Sequence, residues 1–69
     1  MPGKTFKQIM LTGTSTVSME DAVEGAVASA AKTISNMRWF EVVETRGAIS
    51  DGAVSEWQVT VRIGFVVEE

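Results

Sequence analysis

The run Arg38-Trp39-Phe40-Glu41-Val42-Val43-Glu44-Thr45-Arg46 constrains this chain more than any other stretch, because it alternates as a β-strand that serves two surfaces. When it is extended, Phe40 and Val42 leave one face while Trp39, Glu41, Val43 and Thr45 leave the other. A small domain has one core. If Phe40 and Val42 fill it, Trp39 is a large aromatic on the far face, beside Glu41 and with Arg46 a few residues on. That far face requires a partner.

The size of the chain sharpens the requirement. Its 69 residues make a single domain, residues 1–69, and a domain this short buries only about 60% of the surface its unfolded chain exposes. Such domains are usually helped by disulfides, metals or oligomerisation. There is no cysteine and no histidine, which removes disulfides and leaves no zinc or copper site of ordinary type. Oligomerisation remains. A hydrophobic content of 45% points the same way, because a monomer this small would expose part of it. With a net charge of −3 and six lysines and arginines spread through the sequence, there is no electrostatic footprint for a nucleic-acid backbone. No apolar stretch approaches the length of a membrane span or a signal peptide. The expectation is a cytoplasmic protein with neither a nucleic acid nor a membrane as partner.

Along the chain, Lys4 to Thr12 alternates loosely as a first strand, with apolar residues on both faces of its second half. Gly13-Thr14-Ser15-Thr16 reads as a turn. A helix follows, with Ser18 as N-cap, Asp21 at the capping-box position and Val17 with Ala22 spaced as a hydrophobic staple. Its apolar stripe (Ala22, Val23, Ala26, Val27, Ala30, Ala31, Ile34 and Met37) is spaced to pack on a sheet, and the helix is expected to end near Asn36. The second strand runs on to about Ile49. Asp51-Gly52 supplies the positive φ values of a tight hairpin. In the third strand Trp57, Val59, Val61, Ile63, Phe65 and Val67 share the core face, and Gln58, Thr60, Arg62, Gly64 and Val66 share the other. The fold class is α+β: a β-α-β-β order in which a three-stranded antiparallel sheet is wrapped on one helix.

A single helix leaves the other sheet face uncovered. That face collects Trp39, Glu41, Val43, Gln58, Thr60 and Arg62, with Phe6 and Met10 from the first strand. An aromatic plane next to an amide that both donates and accepts suits a flat heteroaromatic ligand, since stacking sets the plane and the amide reads the edge. On the residues alone, simpler roles stay open. Trp39 reads as an interface or core tryptophan, and Gln58 as a solvated or cross-strand polar residue. Arg46 reads as a surface ion pair with Glu44 or Glu41, and Trp57 reads as structural. Gly13 and Gly47 read as turn and bulge residues rather than a phosphate-cradling loop. Glu41, Glu44 and Glu56 lack a partner at catalytic spacing, and salt bridges between subunits or an ion site on an axis suit them better than acid–base catalysis.

The order and spacing of several motifs resemble the dodecins, a family of small flavin-binding proteins, over nearly the whole length. The matching features are Lys4-Thr5-Phe6-Lys7, Leu11-Thr12-Gly13-Thr14-Ser15, Ser18-Met19-Glu20-Asp21-Ala22, Trp39-Phe40-Glu41-Val42, Arg46-Gly47, Glu56-Trp57-Gln58-Val59 and Gly64-Phe65. The resemblance implies a hollow homododecamer with sheets inward and helices outward. It also implies paired flavins (riboflavin, FMN or FAD) between symmetry-related tryptophans. By matching position, Trp39 is the stacking indole, Gln58 bonds the polar edge of the ring, and Arg46 lies near the ribityl or phosphate part. Lys4 and Phe6 lie toward the threefold openings, near a charged ligand tail or a second ligand such as coenzyme A. Some relatives carry an arginine where this chain has Val66, which bears on how firmly a phosphate is held. The implied role is storage, buffering and photoprotection of flavins without turnover. Two alternatives are an oligomerisation module with no flavin and a small enzyme with a pocket between subunits.

Overall fold

Four elements follow the expected β-α-β-β order in the computed structural model: β1 (Phe6–Ser15), α1 (Met19–Ala31), β2 (Met37–Ser50) and β3 (Ala53–Val66). The structure describes residues 3–67, and the ends of the expected 1–69 domain lie outside the described residues. The sheet order is β1-β3-β2 with both pairings antiparallel, so the strand with the cleanest alternation is the central one. Its Val59, Val61 and Ile63 are fully buried against Ala22, Ala26 and Ala30 of α1. The four-residue spacing of those alanines puts small side chains on one stripe and lets the helix axis approach the strands. Each of the three β3 side chains stabilises the protomer by about 1.5–3 kcal/mol through burial. Trp57, Phe65 and Val67, at the ends of the same face, are only half-buried.

Three boundaries differ from the sequence expectation. β1 starts at Phe6 rather than Lys4 and runs through the expected turn to Ser15, because Gly13 and Ser15 keep pairing with Val59 and Trp57 of β3. Gly13 is not a turn residue: it is where α1 crosses β1, and a Cβ there would lie 2.1 Å from the Ala22 carbonyl oxygen. The helix stops at Ala31, capped by Lys32 bonding back to Ala30 and Ser29. Asn36 does take the left-handed geometry (φ 64°), but five residues later, turning the chain into β2. The hairpin is as expected, with positive φ at Asp51 (53°) and Gly52 (77°).

At the start of α1 the Ser18 hydroxyl accepts from the Asp21 N–H at 3.0 Å, as an N-cap should. The staple does not form, since Val17 is exposed. The return arm of the capping box is also replaced. The buried Ser15 hydroxyl accepts from the Val17 N–H (2.8 Å) and the Ser18 N–H (3.3 Å) and donates to Asp21 Oδ2 (2.7 Å). One hydroxyl therefore joins the end of β1 to the first turn of α1. Ser15→Ala removes these bonds and is expected to cost about 1–2 kcal/mol. A thermal midpoint equal to the parent's at the same protomer concentration would contradict that role.

The placement of α1 matters most for the rest of the molecule. It lies across β1 and β3 and scarcely touches β2. Phe40 and Val42, expected in the core, are on the helix side of the sheet but remain 51% and 46% exposed. The alanine stripe seats the helix on the β1–β3 half, and the β2 edge is left uncovered. The β2–β3 hairpin then projects beyond the helix, giving the protomer a longest dimension of 57 Å. Among the described residues, no helix is long and apolar enough to cross a membrane.

Candidate functional site

On the sheet face opposite α1, the register sets out rows of neighbours across the three strands. Phe6 of β1 pairs with Val66, and Gly64 pairs with Gln8 on one side and Trp39 on the other. Arg62 lies between Met10 and Glu41, Thr60 between Thr12 and Glu44, and Gln58 between Thr14 and Arg46. Strict alternation puts Thr45 on the Trp39 face and Arg46 with Phe40. A register shift between Val42 and Glu44 reverses both, so Glu44 and Arg46 join the far face while Thr45 turns to the helix side. Such a bulge re-aims the side chains that follow it. Without it Arg46 could not meet Gln58.

Trp39 has a built seat. Its indole lies over Gly64, so closely that a Cβ at that position would come within 2.2 Å of the ring. On the β1 side it meets Phe6, with ring centroids 4.8 Å apart and planes tilted by 60°, a geometry that aromatic pairs favour. Phe6 therefore supports the indole from the β1 side. Trp39 is 39% exposed, and with Gly64 beneath it the accessible surface is on the side away from the helix. Gly64 is the residue that sequence reasoning missed. The available signal was a glycine inside an otherwise regular strand, which marks a close approach by another group.

Gln58 belongs to a second cluster. Its Oε1 accepts from Arg46 Nε at 2.8 Å and its Nε2 donates to Glu56 at 2.9 Å, while Arg46 Nη1 pairs with Glu44 at 2.7 Å. Arg62 Nη1 likewise pairs with Glu41 at 2.7 Å. The carboxylates expected to bridge subunits or hold an ion are thus paired within the protomer. Both ion pairs are largely solvated and contribute at most about 1 kcal/mol each. Between the rows the Thr12 and Thr60 hydroxyls share a 2.7 Å hydrogen bond. Lys4 lies ahead of β1 and is exposed.

The structure brings Trp39, Phe6 and Gly64 together, and separately Gln58, Arg46, Glu44 and Glu56. Six residues of β3 separate Gly64 from Gln58, a distance of about 20 Å along the strand. One flat ring system cannot touch both clusters of the same protomer. A ligand that meets an indole and the Gln58 amide together must lie between copies of the chain.

A family model described as Dodecin matches residues 5–68. The curated dodecin of Thermus thermophilus is 45% identical over 67 residues, covering 97% of each chain. The dodecin structure from Streptomyces coelicolor superposes with a TM-score of 0.94 at 40% identity, covering 100% of this chain and 99% of the other. That from Streptomyces davaonensis gives 0.93 at 37% identity, covering 99% and 100%.

Proposed function

The chain belongs to the dodecin family of small, homo-oligomeric flavin-binding proteins, and from that premise we propose that it holds flavins in stacked pairs between Trp39 indoles of symmetry-related protomers. The observation that carries this reading is the indole laid over Gly64 on the sheet face away from the helix. The assembly in this reading is a hollow homododecamer, with that face inward. The separation of Trp39 from Gln58 within a protomer supports a site shared between copies, in which Gln58 reads the polar edge of a ring stacked on another protomer's indole.

Arg46 stands near the ribityl chain or phosphate in this scheme. Its solvated pair with Glu44 is cheap to rearrange, so a phosphate can compete for the guanidinium. Val66, directly across from Phe6, adds no charge there, and riboflavin, FMN and FAD are the ligands to compare. Coenzyme A near Lys4 is the further candidate. The proposed role is storage, buffering and photoprotection of flavin in the cytoplasm, without turnover. Light-excited flavin is a strong oxidant and indole is electron-rich. One electron passes from indole to the excited ring and then returns, leaving both unchanged.

Ligand that binds only the folded assembly stabilises it by mass action, by about 2.7 kcal/mol per site at a free concentration 100 times the dissociation constant. The thermal midpoint is therefore expected to rise steadily with riboflavin, FMN or FAD at fixed protomer concentration. An assembly that gains nothing from any of the three is an oligomerisation module, and the proposal fails.

A further inference from the structure

The Gln58 side chain is held from both ends. Its Oε1 accepts from Arg46 Nε (2.8 Å) and its Nε2 donates to Glu56 Oε1 (2.9 Å). A guanidinium can only donate and a carboxylate can only accept, so the amide has one orientation, oxygen toward Arg46 on β2 and nitrogen toward Glu56 on its own strand. Local structure produces both contacts. The register shift after Val42 turns Arg46 to this face, and Glu56 reaches it because residues two apart on a strand share a face. Across the hairpin Glu56 is level with Ala48, whose methyl offers no donor, and β1 already ends at Ser15, level with Trp57. Gln58 is thus the donor that this carboxylate meets. The Glu56 bond is half-buried whereas the bonds of Arg46 are exposed to water, so Glu56 has the firmer hold.

We propose that Glu56 is a positioning residue for ligand choice: by fixing the Gln58 amide it selects a ring edge that carries an N–H next to a carbonyl. An amide oxygen has two acceptor sites and an amide nitrogen two hydrogens, and the network uses one of each. One acceptor site on Oε1 and one Nε2–H remain for a ligand, in a fixed order. The proposal rests on the flavin reading, in which that edge is the N3–H and a neighbouring carbonyl of the isoalloxazine. It adds a residue that acts through Gln58 rather than by contact with the ligand, and a reason why the edge is read in one sense only. A freely turning amide adapts to an edge that lacks the N–H by rotating a hydrogen toward it. A held amide leaves its oxygen facing a group that cannot donate, and an unpaired polar atom is what makes such a site reject the analogue.

Titrations of the assembled protein with riboflavin and with 3-methylriboflavin, in which a methyl replaces the N3 hydrogen, test this through flavin fluorescence. Glu56→Ala is expected to bind riboflavin about fivefold more weakly, the factor for one hydrogen bond of ordinary strength. Its affinity for 3-methylriboflavin is expected to equal the parent's, so the preference for riboflavin falls by the same factor. A merely structural loss would weaken both ligands and leave that preference where it was. Glu56→Gln, which keeps an acceptor within reach, is expected to recover most of the preference. In a Gln58→Ala background, Glu56→Ala is expected to change neither affinity further, because its action passes through the amide. Parental preference in Glu56→Ala, a Glu56→Gln protein that behaves as the alanine variant, or an undiminished Glu56 effect without Gln58 would each overturn the proposal alone. A parent that quenches no flavin would overturn it together with the flavin reading.

Discussion

A Gly13→Ala protein is expected to melt at least on the order of 10 °C below the parent, or to fail to accumulate folded. The added Cβ would stand 2.1 Å from the Ala22 carbonyl oxygen and 3.0 Å from the Ala26 Cβ. The first of these is backbone and cannot rotate away, so the helix itself must lift from β1. Lifting it opens space above Val59, Val61 and Ile63, the largest fully buried side chains among the described residues. Overpacking alone costs about 1–3 kcal/mol where flexible side chains can adjust, and here the obstruction is a helix backbone. The effect is steric: Gly13 is not at positive φ, so alanine would suit the strand if the helix were absent. Circular dichroism melts of both proteins at one protomer concentration check this, and coincident curves would show that the helix does not rest on that glycine.

Trp39→Ala carries the largest functional effect. Stacking a flat ring on an aromatic side chain is worth about 1–3 kcal/mol by alanine substitution, which corresponds to roughly a 5- to 150-fold loss of flavin affinity. Quenching of the flavin that still binds is expected to disappear with the indole. Assembly is expected to survive, because Trp39 takes no part in the buried core that holds the protomer together. Gly64→Ala should have a similar functional effect with the tryptophan still present, since the new Cβ would displace the ring from its seat. Isothermal titration of riboflavin into the parent and the two variants measures this, and parental affinity in Trp39→Ala would remove the indole from the site.

The parts of the fold that were legible in sequence are those governed by local rules. The period-two pattern of β3, the Ser18 cap and the Asp51-Gly52 turn each follow from a few consecutive residues. What was missed depends on contacts made at a distance. Gly13 next to threonines and a serine looks like a turn, and only the crossing of α1 makes it a strand residue. The bulge after Val42 has no glycine or proline to announce it, yet it decides that Arg46 meets Gln58. Phe40 and Val42 alternate as core residues should, but their burial in the protomer depended on where the alanine stripe seated the helix. For the site, the face of Trp39 was readable from alternation. The glycine beneath it, the phenylalanine beside it and the distance to Gln58 appeared only once the register was known.

The central claim is that indoles of two copies enclose a stacked pair of flavins. Titrating the protein into dilute riboflavin while following the flavin's own fluorescence tests it most directly. The account predicts that emission falls nearly to zero, with a break at one flavin per protomer. Emission that stays undiminished at saturating protein would contradict it.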